Sequence, residues 1–240
     1  MIAVDGPAGS GKSSAARGAA SKLGLRYLDT GAMYRALTWW MLGQGVDISD
    51  PRAVAEHAAA PDIESGTDPG SPEISVNGQD VAGHIRTREV SNAVSAVASV
   101  PEVRARLVGQ QQQIVADACA AGQGIVAEGR DIGTVVAPDA AVKVFLTASE
   151  ETRARRRSAD LATDPAATAE VTRSEQTRRD RADAPQTGVA ADAVRIDSTS
   201  RSLAEVISKI VALVPDCDGP GGQAGPGGPR SQAGTVRARG

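Results

Sequence analysis

Short runs of β-branched and other apolar residues alternate along the chain with longer segments whose apolar positions follow helical spacing. This alternation is typical of a parallel sheet covered by helices on both faces, because parallel strands must be joined by crossover connections. We therefore predict an α/β fold with five core strands. They cover residues 2–5, 26–29, 125–128, 142–146 and 193–197.

About 95 residues separate the second and third predicted strands, far more than one crossover requires. The first part of this interval, residues 46–83, is rich in Asp, Pro, Gly and Ser. It contains an Asn77-Gly78 pair between two short apolar runs, which predicts a small β-hairpin insertion. Residues 87–121 predict two helices that are separated at Pro101.

The last third of the chain predicts charged helices and then a tail. A charged helix begins near Glu150, and a second basic cluster covers residues 173–181, so we expect a lid over residues 155–186. A final helix is predicted over residues 202–213. The Gly- and Pro-rich residues 216–240 cannot bury enough apolar area to order themselves, which predicts a disordered tail.

Composition limits the classes of protein to consider. A chain of 240 residues with 41% hydrophobic content can bury a core, and we expect one catalytic unit over residues 1–215. A net charge of -3 gives no reason to expect nucleic acid as a partner, and no apolar run is long enough to span a membrane. Cys119 and Cys217 are too few for a disulfide framework, so we expect a cytoplasmic protein.

Residues 6–13 match the phosphate-binding pattern G-x-x-x-x-G-K-[ST], between the first predicted strand and an alanine-rich helical segment. Glycines in such a loop let backbone N–H groups turn toward phosphate oxygens, and the following helix directs its positive end at them. We expect Lys12 to bridge the outer phosphates and Ser13 to hold Mg²⁺. A glycine-rich turn without a ligand is the alternative.

Acidic and basic residues follow the other predicted strands. Asp29, Glu128 and Asp197 are expected at the carboxyl edge of the sheet, where such folds bind ligands, although they could instead cap the next helices. Arg35 is expected to bind a second phosphate, and the alternative is that it is a solvated surface arginine. Arg130 is expected beside the phosphate loop, facing an acceptor.

Asp131 accompanies Arg130 at that position, and an internal surface ion pair is the alternative for these two residues. Phosphoryl transfer depends mainly on positioning, Mg²⁺ and cations around the migrating group, and clustered arginines suit that need. A phosphate acceptor is already ionised at neutral pH and needs no general base. His57 and His84 are accordingly expected to have structural roles.

The chain is similar to bacterial cytidylate kinases over nearly all of residues 2–213. Four motifs carry the resemblance together: G-P-A-G-S-G-K-S-S, L-D-T-G-A-M-Y-R, I-R-T-R-E-V running into Ser95 and V-P-E-V-R, and E-G-R-D-I-G-T-V-V. The resemblance implies a P-loop kinase fold with an inserted NMP-binding region within residues 30–121. It further implies a monomer that transfers the γ-phosphoryl group of ATP to CMP or dCMP with Mg²⁺.

The same resemblance implies roles for particular residues. Lys12, Arg130 and Arg179 would be catalytic. CMP would be bound by Asp29, Thr30, Tyr34, Arg35, Ser95, Arg104, Arg130, Asp131 and Asp183. ATP would be bound by Gly6, Pro7, Ala8, Gly9, Ser10, Gly11, Lys12, Ser13 and Ser14, with Arg153 and Arg157 at the base of the lid.

Within that set, Ser95, Arg104 and Asp131 would read the base. Cytosine offers an amino group where uracil offers a carbonyl, so a carboxylate acceptor would favour cytosine.

The lid departs from the family pattern, which is roughly R-D-x-x-D-S-x-R-x-x-S-P-L. Residues 179–186 keep its first part and lose the rest. In one register, Arg179 matches the phosphate-binding arginine, Asp183 the ribose-binding aspartate, and Gln186 replaces a later arginine. In a slipped register, Arg181 supplies the missing charge.

One rival function lacks its required motif, and two others remain open at this point. A GTPase-type switch would require a guanine-reading N-K-x-D motif, which none of the four lysines provides. A P-loop kinase could act on another monophosphate or small metabolite. A low-turnover nucleotide-binding protein could result from the altered lid.

Overall fold

The computed structural model describes residues 1–160 and 169–215. Eight strands fall in these residues: β1 (Ile2–Asp5), β2 (Arg26–Asp29), β3 (Ile63–Ser65), β4 (Ile74–Val76), β5 (Gln79–Asp80), β6 (Ile125–Gly129), β7 (Val142–Thr147) and β8 (Val194–Asp197). The α-helices there are α1 (Lys12–Leu23), α2 (Thr30–Gly43), α3 (Pro51–His57), α4 (Arg88–Ala98), α5 (Pro101–Ala120), α6 (Glu150–Asp160), α7 (Ala169–Asp183) and α8 (Leu203–Val211).

Five strands form the parallel sheet that the hydrophobic pattern predicts, so the predicted fold class is confirmed. The strand order is β2-β6-β1-β7-β8, and every neighbouring pair is parallel. β1 is the central strand and lies between β6 and β7. The segments that follow β1 and β6 therefore leave the sheet side by side at its carboxyl edge.

Alternate residues of β1 supply the two halves of the core. Ile2 and Val4 pack into a cluster with α1 and α8 on one face, and Ala3 joins the cluster with α2 and α5 on the other. Small residues let α1 come close to its neighbours. At Gly18 an added Cβ would collide with the side chain of Ile207 on α8.

The interval between β2 and β6 contains the predicted hairpin. Asn77 and Gly78 have φ values of 51° and 77°, as a two-residue type I′ turn requires, and they join β4 to β5. β3 adds a third antiparallel strand that the sequence pattern did not reveal, because it is only three residues long. The predicted break at Pro101 is confirmed, since α5 begins at this residue.

Several features differ from the prediction or fall outside the description. The short α3 and a π-helix over Ile132–Val136 were not predicted. Residues 161–168 of the expected lid, and the expected disordered tail at 216–240, lie outside the described residues. In the part of the chain that is described, no helix is long and apolar enough to cross a lipid bilayer.

Candidate active site

The phosphate-binding loop connects β1 to α1, and its backbone requires glycine. A Cβ at Gly6 would collide with the carbonyl oxygen of Leu146 on β7. Gly11 has a φ of 87° immediately before α1, a conformation that other residues rarely adopt. The loop thus presents the amino end of α1, with its unpaired N–H groups and positive dipole end, to a ligand.

Three alternate carbonyl groups of this loop, those of Gly6, Ala8 and Ser10, accept hydrogen bonds from side chains of other elements. The donors are Arg130 to Gly6 at 2.6 Å, Arg153 and Gln176 to Ala8 at 3.2 and 2.8 Å, and Arg156 and Ser198 to Ser10 at 3.2 and 2.8 Å. Holding the carbonyl groups in this way fixes the path of the loop.

Lys12 and Ser13 both contact the buried carboxylate of Glu128. The Ser13 hydroxyl donates to Oε1 of Glu128 at 2.6 Å, and the Lys12 ammonium lies 3.7 Å from Oε2. Burial, and then the nearby Asp29, raise the pKa of Glu128 above its usual range. Burial, and then the positive charge of Arg130, lower the pKa of Lys12. These poorly solvated charges would be stabilised by an anionic ligand at Lys12 and a cation at Glu128.

A cavity of about 1000 Å³ opens in front of the loop. It brings together residues that the sequence predicts for both halves of a phosphotransfer site. The predicted residues that line it are Ala8, Gly9, Gly11, Lys12, Ser13, Ser14, Asp29, Thr30, Tyr34, Arg35, Arg104, Arg130, Asp131, Arg179 and Asp183. The described predicted residues that do not line it are Gly6, Pro7, Ser10, Ser95 and Arg153.

The part of the cavity that the predicted acceptor residues line contains pairs of opposite charge. Arg130 donates through Nε and Nη2 to Asp183 at 3.2 and 3.1 Å, and Arg104 forms an ion pair with Asp131. Ser95 lies beside this group, because its hydroxyl donates to Asp183 at 2.7 Å. Arg130 and Asp131 therefore have partners on other elements, which disfavours the alternative of an ion pair with each other.

Arg35 also has internal partners in this half of the cavity. Its Nη1 atom donates to the Ser91 hydroxyl at 2.9 Å and to the carbonyl of Ile85 at 3.3 Å. The side chain is held against the cavity wall, so the alternative of a solvated surface arginine is disfavoured.

Comparison with known proteins agrees with this geometry. The family model described as cytidylate kinase matches residues 2–216. The chain belongs to the cytidylate kinase family. It is 53% identical over 218 residues to the cytidylate kinase of Streptomyces coelicolor and 51% identical over 218 residues to that of Streptomyces avermitilis, covering 89% of this chain and 92% of each relative. The cytidylate kinase of Mycobacterium leprae is 47% identical over 220 residues, covering 89% of this chain and 95% of that protein.

In this member of the cytidylate kinase family, Arg153 contacts the phosphate loop but does not line the cavity. Besides its hydrogen bond to Ala8, it forms an ion pair with Asp180 at 2.5 Å, and its side chain is 8% exposed. Both contacts use the Nη1 atom of Arg153, and binding of ATP by this residue stays a prediction. The side chain of Arg157 lies outside the described part of the structure.

The two candidate lid arginines differ in their placement. Arg179 lines the cavity. The pKa of Lys12 is lowered by burial and then by Arg130, is raised by the nearby carboxylates, and is lowered to a smaller extent by the positive charge of Arg179. Arg181 is exposed and does not contribute to the cavity wall. Gln186, which replaces an arginine of the family pattern, lines the cavity as well.

The strand-end carboxylates take three different positions. Asp29 caps α2 by accepting from the N–H of Ala32 at 2.9 Å, and it also faces the cavity, where Arg86 donates to it at 2.8 Å. Asp197 accepts from the N–H and hydroxyl of Thr199 in a local turn. Asp29 therefore caps a helix and also faces the cavity, Glu128 faces the phosphate loop, and Asp197 does neither.

Sequence reasoning missed one charged residue that lines the cavity, Arg86, and one that lies beneath the loop, Asp5, and it did not assign Glu128 a role. Arg86 follows the hairpin insertion and reaches the cavity only because the chain folds back. Asp5 ends β1 beneath the loop, so the strand-end argument that picked out Asp29 extends to it. Arg86 could have been found from the I-R-T-R-E-V motif and Asp5 from its place at a strand end, but their partners could not.

The histidines, for which structural roles are expected, and the described cysteine do not line the cavity. The rings of His57 and His84 approach Trp40 and Trp39, with centroids 6.4 and 6.0 Å apart. Cys119 is exposed and unpaired, and Cys217 lies beyond the described residues. Within residues 1–160 and 169–215, no group of three or more His, Cys, Asp or Glu side chains is arranged to hold a metal ion.

Proposed function

We propose that this chain transfers the γ-phosphoryl group of ATP to CMP, and to dCMP, with Mg²⁺, forming CDP or dCDP and ADP. The observation that carries the proposal is that one cavity joins the phosphate loop at Lys12 to the acceptor group of Arg35, Arg130 and Asp131. Family membership supports the same reaction, because the relatives are named cytidylate kinases.

The donor half would bind the triphosphate at the loop and the amino end of α1. Lys12, which is largely removed from solvent, would neutralise charge between the donor phosphates. The residues present fit Mg²⁺, which proteins usually hold through one or two oxygen ligands together with substrate phosphates. Ser13 and the buried Glu128 would hold it, and it would neutralise charge on the phosphates.

The acceptor half would position CMP by its phosphate, ribose and base. Arg35 and Arg130, with Thr30 beside them, would bind the phosphate of CMP, and its ionised oxygen would attack without a general base. Asp183 would contact the ribose. The base would be read by the side chains of Ser95, Arg104 and Asp131.

We propose the following organisation for the catalytic cycle. Residues 1–215 form the kinase, residues 30–121 the acceptor-binding region with its insertion at 46–83, and residues 155–186 a lid that closes over ATP. The enzyme acts as a cytoplasmic monomer. Arg179 rather than Arg181 is the lid cation that stabilises the migrating phosphoryl group, since Arg179 lines the cavity.

We expect that different residues bind the phosphate of the acceptor and recognise its base, so that two variants change different kinetic constants. Arg35→Ala is expected to raise KM for CMP and UMP alike. Asp131→Ala is expected to lower the CMP-to-UMP ratio of kcat/KM instead, because only the base differs between these substrates. A charged hydrogen bond contributes about 1.5 to 3 kcal/mol, so each effect should be roughly 10- to 100-fold.

Steady-state kinetics with both monophosphates measures these effects. Arg52→Ala and Asp139→Ala are matched controls, because both residues are exposed and lie away from the cavity wall. An unchanged CMP-to-UMP ratio in folded Asp131→Ala would show that the base is read elsewhere. A kinase for another small metabolite would then become the better assignment.

A further inference from the structure

Asp5 is a buried carboxylate that the proposed phosphoryl transfer does not use. It is the last residue of β1 and is 4% exposed. Its two oxygens accept from separate backbone groups, Oδ1 from the N–H of Ile132 and Oδ2 from the N–H of Gly133, both at 2.8 Å. A carboxylate with two backbone donors holds that backbone in one place.

The two donors belong to the segment that carries the acceptor residues. Ile132 and Gly133 begin the π-helix over Ile132–Val136 and come directly after Arg130 and Asp131. The first N–H groups of a helix have no partner within the helix, so Asp5 satisfies groups that would otherwise be buried without a partner.

A second contact joins the same two segments in the opposite direction. Gly6 follows Asp5 in the chain, and its carbonyl accepts from Nη1 of Arg130 at 2.6 Å. The start of the phosphate loop and the Arg130–Asp131 segment are therefore connected by three hydrogen bonds. Asp131, which pairs with Arg104, lies in the same segment, so Asp5 holds backbone groups directly after Arg130 and Asp131.

The burial of Asp5 and its two backbone donors indicate that this carboxylate has a specific role. The pKa of Asp5 is raised to about 6, chiefly because the carboxyl group is buried. The N–H groups of Gly133 and Ile132 oppose this shift. Of the nearby charges, Asp131 raises the pKa and Lys12 lowers it. Both oxygens nevertheless accept from backbone N–H groups, which is the pattern of an ionised carboxylate. Burying an ionised carboxylate lowers the stability of the fold, and an uncharged side chain could fill the same space without that cost.

We propose that Asp5 is a positioning residue for the acceptor, which fixes the Arg130–Asp131 segment and connects it to the phosphate loop. This inference rests on the proposed function. It assigns to Asp5 the geometry of both CMP phosphate binding and cytosine recognition, although Asp5 itself does not line the cavity.

Two variants disturb this contact from opposite sides. Asp5→Asn keeps the shape of the side chain, but its amide places an NH₂ group against one of the two N–H donors. Gly133→Ala leaves the charge in place and adds a Cβ 3.3 Å from the Lys143 side chain and 3.4 Å from Oδ2 of Asp5, so the neighbours of Gly133 must shift by a few tenths of an ångström to admit it. Asp197→Asn is the matched control, since Asp197 also ends a strand at this edge but contacts only its own turn.

The test is steady-state kinetics of the full chain with ATP and either CMP or UMP, together with melting temperatures. We expect Asp5→Asn to raise KM for CMP about 10-fold and to lower the CMP-to-UMP ratio of kcat/KM about 5-fold, with KM for ATP changed less than about 3-fold. Gly133→Ala should change the same quantities in the same direction by less, and Asp197→Asn should match the wild type.

Three results would overturn the inference. Folded Asp5→Asn with wild-type KM for CMP and wild-type base preference would do so, as would a loss of kcat that is equal for both acceptors at unchanged KM. If Asp5→Asn does not fold, wild-type kinetics of Gly133→Ala overturn it. A wild-type chain that does not phosphorylate CMP would instead overturn the proposed function, and this inference with it.

Discussion

Lys12→Ala is expected to lower kcat by a factor on the order of 10² or more, as is found when a preorganised contact to a developing charge is removed. The ammonium group of Lys12 lies at the phosphate loop beside Glu128 and is shielded from solvent, so its field on a bound phosphate is weakly screened. The fold should persist, because the alanines of α1 that pack into the core are unaffected.

Turnover at saturating ATP and CMP measures this effect, with circular dichroism to confirm folding. Lys22→Ala is the matched control, since Lys22 is an exposed lysine in the last turn of the same helix. A folded Lys12→Ala variant that retains more than about half of the wild-type turnover would contradict the assignment of the donor site.

Arg179→Ala is expected to lower kcat about 10- to 100-fold while KM for CMP stays nearly unchanged. The reason is that a lid cation acts on the charge of the migrating phosphoryl group and not on ground-state binding of the acceptor. Arg179 lines the cavity and is close enough to Lys12 to affect its pKa, whereas Arg181 is exposed.

Arg181→Ala is both the control and the competing hypothesis for the lid. It differs from Arg179→Ala by two positions on the same helix and should retain most of the wild-type kcat. A large loss in Arg181→Ala with a small loss in Arg179→Ala would establish the slipped register. Wild-type kcat in both variants would favour a nucleotide-binding protein whose lid does not take part in catalysis.

The sheet and the phosphate loop could be predicted from the sequence because each is a local feature. A buried parallel strand is apolar along its whole length, as in Ile2-Ala3-Val4, and the loop has fixed glycine positions before Lys12. The type I′ turn at Asn77-Gly78 is local in the same sense. These signals require no knowledge of which segments meet.

The charge pairs of the site could not be predicted, because they join residues far apart in the chain. Arg130 and Asp183 are 53 positions apart, and Asp5 and Ile132 are 127 positions apart. Arg153 illustrates the consequence. Its sequence position suggests contact with ATP, but whether its guanidinium faces the ligand or the loop carbonyls depends on how α6 packs, which no local pattern specifies.

The π-helix at Ile132–Val136 was missed for a related reason. Its residues, Ile-Gly-Thr-Val-Val, have strand-like propensity, and the segment is held by the tertiary contact with Asp5 and not by its own composition. Local preference and tertiary structure disagree at this place, which is where a functional role is often found.

Parallel ATP-consumption assays with CMP, dCMP, UMP and AMP test the central claim most directly, because they ask which acceptor the cavity selects. We predict that CMP and dCMP are phosphorylated with kcat/KM values about 10-fold or more above those for UMP and AMP, as expected if the paired Asp131 and Arg104 read the cytosine edge as proposed. Equal use of all four monophosphates, or consumption of ATP with none of them, would contradict the account.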